Sequence, residues 1–299
     1  MQRARPLISL SRTFSDTKIK SSIPAFVRSS SFSTTDASTS EPSLSSPSVA
    51  LHQYAICPFC NKAKALLAYA GLSYDAIEVN PLTKTELKHL QDQSYSYRKV
   101  PIAVIDGQQI NGSDAIVAAL LDHTDFQPFL ENRWEAAGDK GMTMDKFRLS
   151  DSATRWSRFA HDDLAALMYP NLCNTLVHSY QAFSYVDGVH AFSKGQKIMI
   201  KGIGSVAMYL AASKIKSKRG ISDEKEALAR AVAIWEEEGL GRGAKHFGSG
   251  LGQPDLGDIT VYGTLRSVEG LPAHDLAVES SPVVRDWYQR MRQEMAEHG

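Results

Sequence analysis

Residues 57–60 read Cys-Pro-Phe-Cys, and they stand where an apolar run, VALHQYAI at 49–56, gives way to a stretch of helical period, NKAKALLAYAGL. The run is short and rich in β-formers, as a buried strand requires. Beyond it Phe59, Ala63, Leu66, Leu67 and Ala70 recur on one helical face, Pro58 suits a first helical position and Gly71 is placed to end the helix. A strand that runs directly into a helix whose first turn carries two cysteines leaves few folds open. The next segments narrow them further. SYDAIEVN predicts a second strand and LTKTELKHL a short second helix. Residues 102–105 predict a third strand, Asp106-Gly107 a tight hairpin turn and 108–110 the returning strand. Ser113 caps a last helix whose apolar face is Ile116, Val117, Leu120 and Leu121.

That order, a βαβ unit with the cysteine pair at its first helix and a hairpin after it, is the setting in which the pair reads as thioredoxin-like, of the glutaredoxin type. From about residue 122 the period becomes helical throughout. DSATRWSRFAHDDLAALMYPNL is one helix closing near Pro170, KGIGSVAMYLAASKIKSK another, and SDEKEALARAVAIWEEEGLG a third, with Ser222 as cap, an inward face of Leu228, Ala231, Val232 and Trp235, and Gly239 as stop. In QPDLGDITVYGTLRSVEGL, Asp255 precedes Asp258 by three residues, a carboxylate capping box. The expected class is an α/β thioredoxin-like N-terminal domain followed by an all-α domain. The expected divisions are 1–48 as a targeting or disordered segment, 49–123 as the thioredoxin-like domain, 124–150 as linker and 151–299 as the helical domain.

Residues 1–48 are crowded with Ser and Thr and carry six Arg or Lys against three acids, the composition of an organelle transit peptide. The mitochondrion is the first expectation, with plastid or cytoplasm as alternatives. The most apolar stretch, 202–212, is short of the ~20 residues that cross a bilayer, so no transmembrane helix is expected. Lys plus Arg equals Asp plus Glu at 33 each, which leaves no net field to attract nucleic acid. Only three cysteines occur, Cys57, Cys60 and Cys173, too few for a disulfide framework. Structural zinc takes four ligands and the pair has no second pair or matched histidines, so no metal site is expected.

The chemistry then centres on Cys57. A sulfur at a helix N-terminus faces unpaired N–H groups and the positive end of the dipole, which favour the reactive thiolate. Cys60, about a turn deeper, can resolve a mixed disulfide formed at Cys57. Tyr54 stands three residues earlier, where its phenol can reach the sulfur; Lys62 and Lys64 read as ordinary solvated side chains, Cys173 as a buried small hydrophobe and His161 as ordinary. Val100-Pro101 precedes the third strand, where a cis bond leaves the Val100 N–H and C=O open to a peptide-like ligand. Gly112-Ser113 open a helix whose N-terminus can hold a carboxylate.

Five blocks, LHQYAICPFCNKAKALLAYAGLSYDAIEVNPLTKTEL, SYRKVPI, INGSDAIVAAL, RWSRFAHDDLAALMYPN and PDLGDITVYGTLRSVEGL, together resemble the prostaglandin E synthase 2 family, glutathione-transferase-like proteins with a glutaredoxin-type first domain. The resemblance runs from Leu51 to Met295. It implies an isomerase that converts prostaglandin H2 to prostaglandin E2, with Cys57 as essential thiol and Tyr54 and Cys60 lining the site. It implies glutathione held at Val100, Pro101, Gly112 and Ser113; the family's acid-serine pair is here Gly112-Ser113, with Asp114 one place late. It further implies haem ligated through the glutathione sulfur, a haem-bound form that degrades the endoperoxide, a homodimer and peripheral membrane contact. A glutaredoxin-like thiol-disulfide oxidoreductase and a non-enzymatic glutathione- and haem-binding protein are the alternatives.

Overall fold

The computed structural model describes residues 45–90 and 97–296. The expected targeting segment lies almost wholly outside them. Strand β1 (Val49–Gln53) leads into helix α1 (Pro58–Tyr69), with Pro58 in its first turn and Gly71 in the left-handed region just beyond its end. β2 (Asp75–Glu78) pairs parallel with β1. β3 (Ile102–Ile105) and β4 (Gln108–Asn111) complete a four-stranded sheet of order β2-β1-β3-β4, antiparallel on the β3 side. Asp106 and Gly107, both with positive φ, make the tight turn between β3 and β4. Asp106 adopts this conformation while its carboxylate accepts from the Ser48 amide and pairs with His123. α2 (Ser113–Asp122) then buries Ile116, Val117, Leu120 and Leu121.

The short helix expected after β2 is a single 3₁₀ turn, Thr85–Leu87. Asn80 explains it: its side chain accepts from the Leu82 and Thr83 amides and its own amide donates to Glu86, so side chains satisfy backbone groups that a helix would have used.

The stretch expected as linker is helical. α3 (Gln127–Ala136) and α4 (Met144–Leu149) bury Leu130, Trp134 and Phe147. Phe147 stacks on Tyr69 of α1, and Trp134 Nε1 donates to the Tyr69 hydroxyl at 3.2 Å. Too few apolar residues recur there to show a period, although Leu130, Trp134 and Phe147 are core while Leu149 is exposed.

The rest is helical, as expected. α5 (Asp151–Phe159) and α6 (Ala165–Leu172) join through one π turn, Ala160–Leu164, and run past Pro170. α7 (Leu176–Ala182) follows. α8 (Lys194–Met199) and α9 (Ser205–Arg219) are likewise continuous through a π turn. The resulting helix, Lys194–Arg219, has 26 residues and is long and apolar enough to cross a bilayer, which the 202–212 stretch taken alone did not suggest. In α10 (Glu224–Ile234) the cap is Asp223, which accepts from the Lys225 and Glu226 amides, and not Ser222. α11 (Leu256–Arg266) is buried almost throughout; α12 (Pro272–His274) and α13 (Pro282–Ala296) complete the chain.

α11 anchors the helices on the thioredoxin-like unit. Its capping box is reciprocal, and Asp258 also accepts from the Gly248 and Ser249 amides and Trp287 Nε1. At Gly263 the helix meets α1 backbone to backbone: a Cβ there would lie 2.5 Å from the Asn61 carbonyl oxygen. The first turn of α1, which carries both cysteines, is therefore held rigidly from behind.

Candidate functional site

β1 ends and the chain turns through Tyr54 to Ile56, with the Cys57 amide donating to the Tyr54 carbonyl at 3.0 Å. Cys57 becomes the N-cap of α1. Buried Asn61 fastens this turn, its side-chain amide donating to the carbonyls of Ala55 at 2.7 Å and Cys57 at 3.0 Å. Glu78, at the end of β2, accepts from the Ala55 amide at 2.9 Å. Both supports were absent from the sequence reading, although Asn61 adjoins the motif.

The Cys57 thiol is drawn down to about 7. The hydrogen bond from the Cys60 thiol is the largest cause; burial opposes it, and the Tyr169 hydroxyl and the amides of Cys60 and Phe59 act with it. Cys60 is pushed well above the usual cysteine range, by burial first and by its role as donor to Cys57 second. Cys57 is thus the thiolate-forming member and Cys60 a proton-bearing donor, the division that helix-start geometry favours. Both are buried: Cys57 is only 3 % exposed, in contrast to the open helix start that the sequence suggests.

Tyr169, on α6, helps to cover it. No sequence signal singled it out; it stands in the quoted block RWSRFAHDDLAALMYPN, but its reach to Cys57 depends on α6 packing against α1. Burial pushes the phenols of Tyr54, Tyr169 and Tyr185 well up, so all three remain proton donors at neutral pH. These tyrosines, with Ile56, Leu82 and Met208, line an apolar cavity of about 140 Å³ beside the motif. Cys173 also lines it, buried as expected.

Val100-Pro101 is cis. The β1–β3 register sets His52 opposite Ile102, so Pro101 lies where β1 hands over to the cysteine turn. Among the described residues nothing pairs with the Val100 amide or carbonyl. The Pro101 carbonyl accepts from the Gly112 amide at 3.0 Å, which joins the proline to the start of α2. There Ser113 is 4 % exposed and Gly112 has φ 92°, with the Tyr97 hydroxyl 3.4 Å from where a Cβ would stand. The structure therefore brings the two cysteines and Tyr54 together on one side, and Val100, Pro101, Gly112 and Ser113 on the other, at the same end of the sheet.

Lys62 is not solvated. It is 2 % exposed, its ammonium 2.7 Å from Asp114 and 3.1 Å from His161 Nδ1, while His161 lies 2.8 Å from the other Asp114 oxygen. Lys62 and His161 thus belong to an ion-pair cluster beside Ser113. Burial lowers Lys62 against the pull of Asp114. A wide cleft of about 900 Å³, lined by Arg155, Arg158 and Arg230, contains neither cysteine. No cluster of potential metal ligands occurs among the described residues.

Comparison with known proteins agrees with this geometry. Residues 51–128 match the N-terminal domain of the glutathione S-transferase family. Prostaglandin E synthase 2 of Mus musculus is 31 % identical over 278 residues, covering 83 % of this chain and 70 % of the mouse protein. The Danio rerio protein of the same name is 30 % identical over 271 residues, covering 81 % and 70 %. Among solved structures, a glutathione S-transferase from Sinorhizobium meliloti 1021 superposes with a TM-score of 0.53 at 14 % identity, over 85 % of this chain and 92 % of that one, which supports the fold alone.

Proposed function

The chain belongs to the prostaglandin E synthase 2 family, and on that premise we propose that it isomerises prostaglandin H2 to prostaglandin E2 at the Cys57 thiol. The observation that carries the reading is a thiol drawn down to about 7 and hydrogen-bonded to Tyr169, one of three protonated phenols that line the neighbouring apolar cavity. An endoperoxide of a fatty acid needs a nucleophile, an apolar bed for its chains and a donor for the oxygen it releases, and these are the groups present.

The reaction balances without an external redox partner. The Cys57 thiolate attacks one peroxide oxygen; the S–O bond forms as the O–O bond breaks, and the other oxygen leaves as an alkoxide that takes a proton from a cavity phenol. A base removes the hydrogen from the carbon bearing the sulfur-bound oxygen, the C=O bond forms and the S–O bond breaks, returning the thiolate. Hydrogen bonds from Cys60 and the helix-start amides stabilise the sulfur anion at both ends of this cycle. Because Cys57 is 3 % exposed, the endoperoxide reaches the sulfur only when the side chains around it move aside.

Glutathione fits this chain. The Val100 amide and carbonyl, which pair with nothing among the described residues, suit a peptide backbone, and Ser113 with the N-terminus of α2 suits the γ-glutamyl carboxylate. Asp114 is already held by Lys62 and His161, so the γ-glutamyl ammonium would meet a carboxylate that is largely neutralised. Glutathione would supply a second thiol beside Cys57. As it stands the cavity, about 140 Å³, is smaller than the ~300–1,000 Å³ of common ligand pockets, so the endoperoxide and haem alike would require it to widen, and no step of the reaction above uses haem.

One observation favours a second reading. Cys60 donates directly to Cys57, the relation that a resolving thiol needs, so a thiol-disulfide oxidoreductase would use the same pair. Replacement of Cys60 by serine separates the two. As an isomerase the variant retains prostaglandin E2 formation above background, with its pH dependence moved up; if the resolving thiol is essential, turnover collapses. Cys57→Ser retaining full isomerase activity would refute the proposal.

A further inference from the structure

The isomerisation needs a base for the hydrogen on the carbon that becomes the ketone, and the cavity beside Cys57 holds no ready one. Among the described residues its lining contains no carboxylate and no imidazole, and its one thiol, Cys173, is held protonated by burial. Its three phenols are not alike. The charge of the Cys57 sulfur acts on each of them, so all three lie close to it. Tyr169 gives its hydroxyl to that sulfur. Tyr54 pairs with no carboxylate among the described residues. Tyr185, in the 3₁₀ turn Phe183–Gly188 that follows α7, donates its hydroxyl to Glu78 at the end of β2.

Glu78 is held by neutral donors alone. Its oxygens accept from the Ala55 amide at 2.9 Å and from Gln53 Nε2 at 3.3 Å, and Tyr185 supplies the third hydrogen bond. No Lys or Arg forms an ion pair with it among the described residues; Lys64 acts on it only through space. Such a carboxylate can take up a proton without leaving a buried cation unpaired. Burial raises its affinity for that proton, against the pull of the three donors, so it is a better acceptor than a solvated glutamate.

We propose that Tyr185 is the group that takes the hydrogen from the substrate carbon, with Glu78 behind it as the positioning residue that receives the tyrosine's own proton. As the proton on carbon reaches the Tyr185 oxygen, the Tyr185 hydroxyl proton passes to Glu78. The C–H electron pair becomes the second bond of the C=O group, and the S–O pair returns to Cys57 as the thiolate leaves. Glu78 then sends its proton back through Tyr185 to the phenol that protonated the alkoxide. One proton leaves carbon and one arrives on oxygen, so neither solvent nor an external acid or base takes part. A Glu78 that only anchored the Ala55 turn would leave this step untouched.

The assignment rests on the isomerase chemistry proposed for Cys57, so the test separates the two. The full chain, Tyr185→Phe and Glu78→Gln are given prostaglandin H2 with glutathione present, unlabelled and deuterated at the carbon that becomes the ketone. Tyr185→Phe keeps the ring beside Phe183, and Glu78→Gln keeps an acceptor for the Ala55 amide. Each is expected to lower kcat for prostaglandin E2 by about a hundredfold with little change in KM, and to show a primary isotope effect on kcat. With the base lost, the sulfur–oxygen adduct has another exit. A glutathione thiol attacks the Cys57 sulfur, the S–S bond forms as the S–O bond breaks, the oxygen leaves as an alcohol and a second glutathione reduces the mixed disulfide. The ratio of the diol, prostaglandin F2α, to prostaglandin E2 should therefore rise by the factor by which ketone formation falls. A merely structural loss lowers both products together and moves the titration of Cys57, which should stay in place. A parent that makes no prostaglandin E2 beyond the Cys57→Ser background refutes the isomerase reading and this assignment with it. An active parent beside variants with unchanged kcat, no isotope effect or an unchanged product ratio overturns the assignment alone.

Discussion

Tyr169→Phe removes one hydroxyl and keeps the ring, so it isolates a single hydrogen bond to the Cys57 sulfur. A hydrogen bond to a charged group contributes ~1.5–3 kcal/mol, and 1.36 kcal/mol corresponds to one pH unit of titration. Cys60 and two amides still donate to the sulfur in the variant, which places the effect at the lower end. The midpoint of Cys57 should therefore rise by about one pH unit from its value of about 7. Thiolate ultraviolet absorbance follows it directly, because Cys60 and Cys173 are both held protonated above this range by burial. Stability should respond with a definite sign. A thiol whose folded value lies below its unfolded value of ~8.5 contributes stability that is fully present above that value and is lost as pH falls through about 7. The variant should flatten this decline between pH ~8.5 and ~7. A midpoint that stays at about 7, or falls, would refute the assignment of Tyr169 as a donor to Cys57.

Three further outcomes follow from the packing around the site. Gly263→Ala places a methyl against the Asn61 carbonyl and should cost about 2 kcal/mol or more in urea unfolding, while disturbing the Cys57 titration because α1 must move. Asp258→Ala leaves the Gly248 and Ser249 amides and Trp287 Nε1 buried without an acceptor, and should lower stability by ~3 kcal/mol or more, read as a shift in urea midpoint. Asn61→Ala frees the carbonyls of Ala55 and Cys57 and should lower both stability, by ~1–3 kcal/mol, and thiol reactivity at pH 7, the latter read by alkylation rate.

The features that could be read from the sequence were local ones. Pro58 and Gly71 bracket α1 because proline suits a first helical turn and glycine takes the left-handed conformation beyond the last. The Asp106-Gly107 turn and the Asp255–Asp258 box depend on neighbours within a few residues, and both are present. Fold class follows from the order of such pieces. What could not be read depends on contacts between distant segments. Tyr169 reaches Cys57 only because α6 packs on α1, and Lys62 is buried only because α2 and the π turn after α5 bring Asp114 and His161 to it. A lysine two residues past a redox motif carries no mark of burial; the ion pair that makes burial tolerable is supplied from elsewhere in the chain. The helical character of residues 127–149 escaped for a related reason: Trp134 and Phe147 take their places from Tyr69, not from a periodic stripe of their own.

The most direct test of the account is the pH profile of prostaglandin E2 formation from prostaglandin H2, corrected for spontaneous isomerisation and followed by mass spectrometry with glutathione present. If the Cys57 thiolate is the nucleophile, kcat/KM rises with pH through a midpoint of about 7, the midpoint moves up in Tyr169→Phe together with the absorbance titration, and Cys57→Ser falls to background. A profile without a midpoint in that region, or one that stays in place when the titration of Cys57 moves, would contradict it.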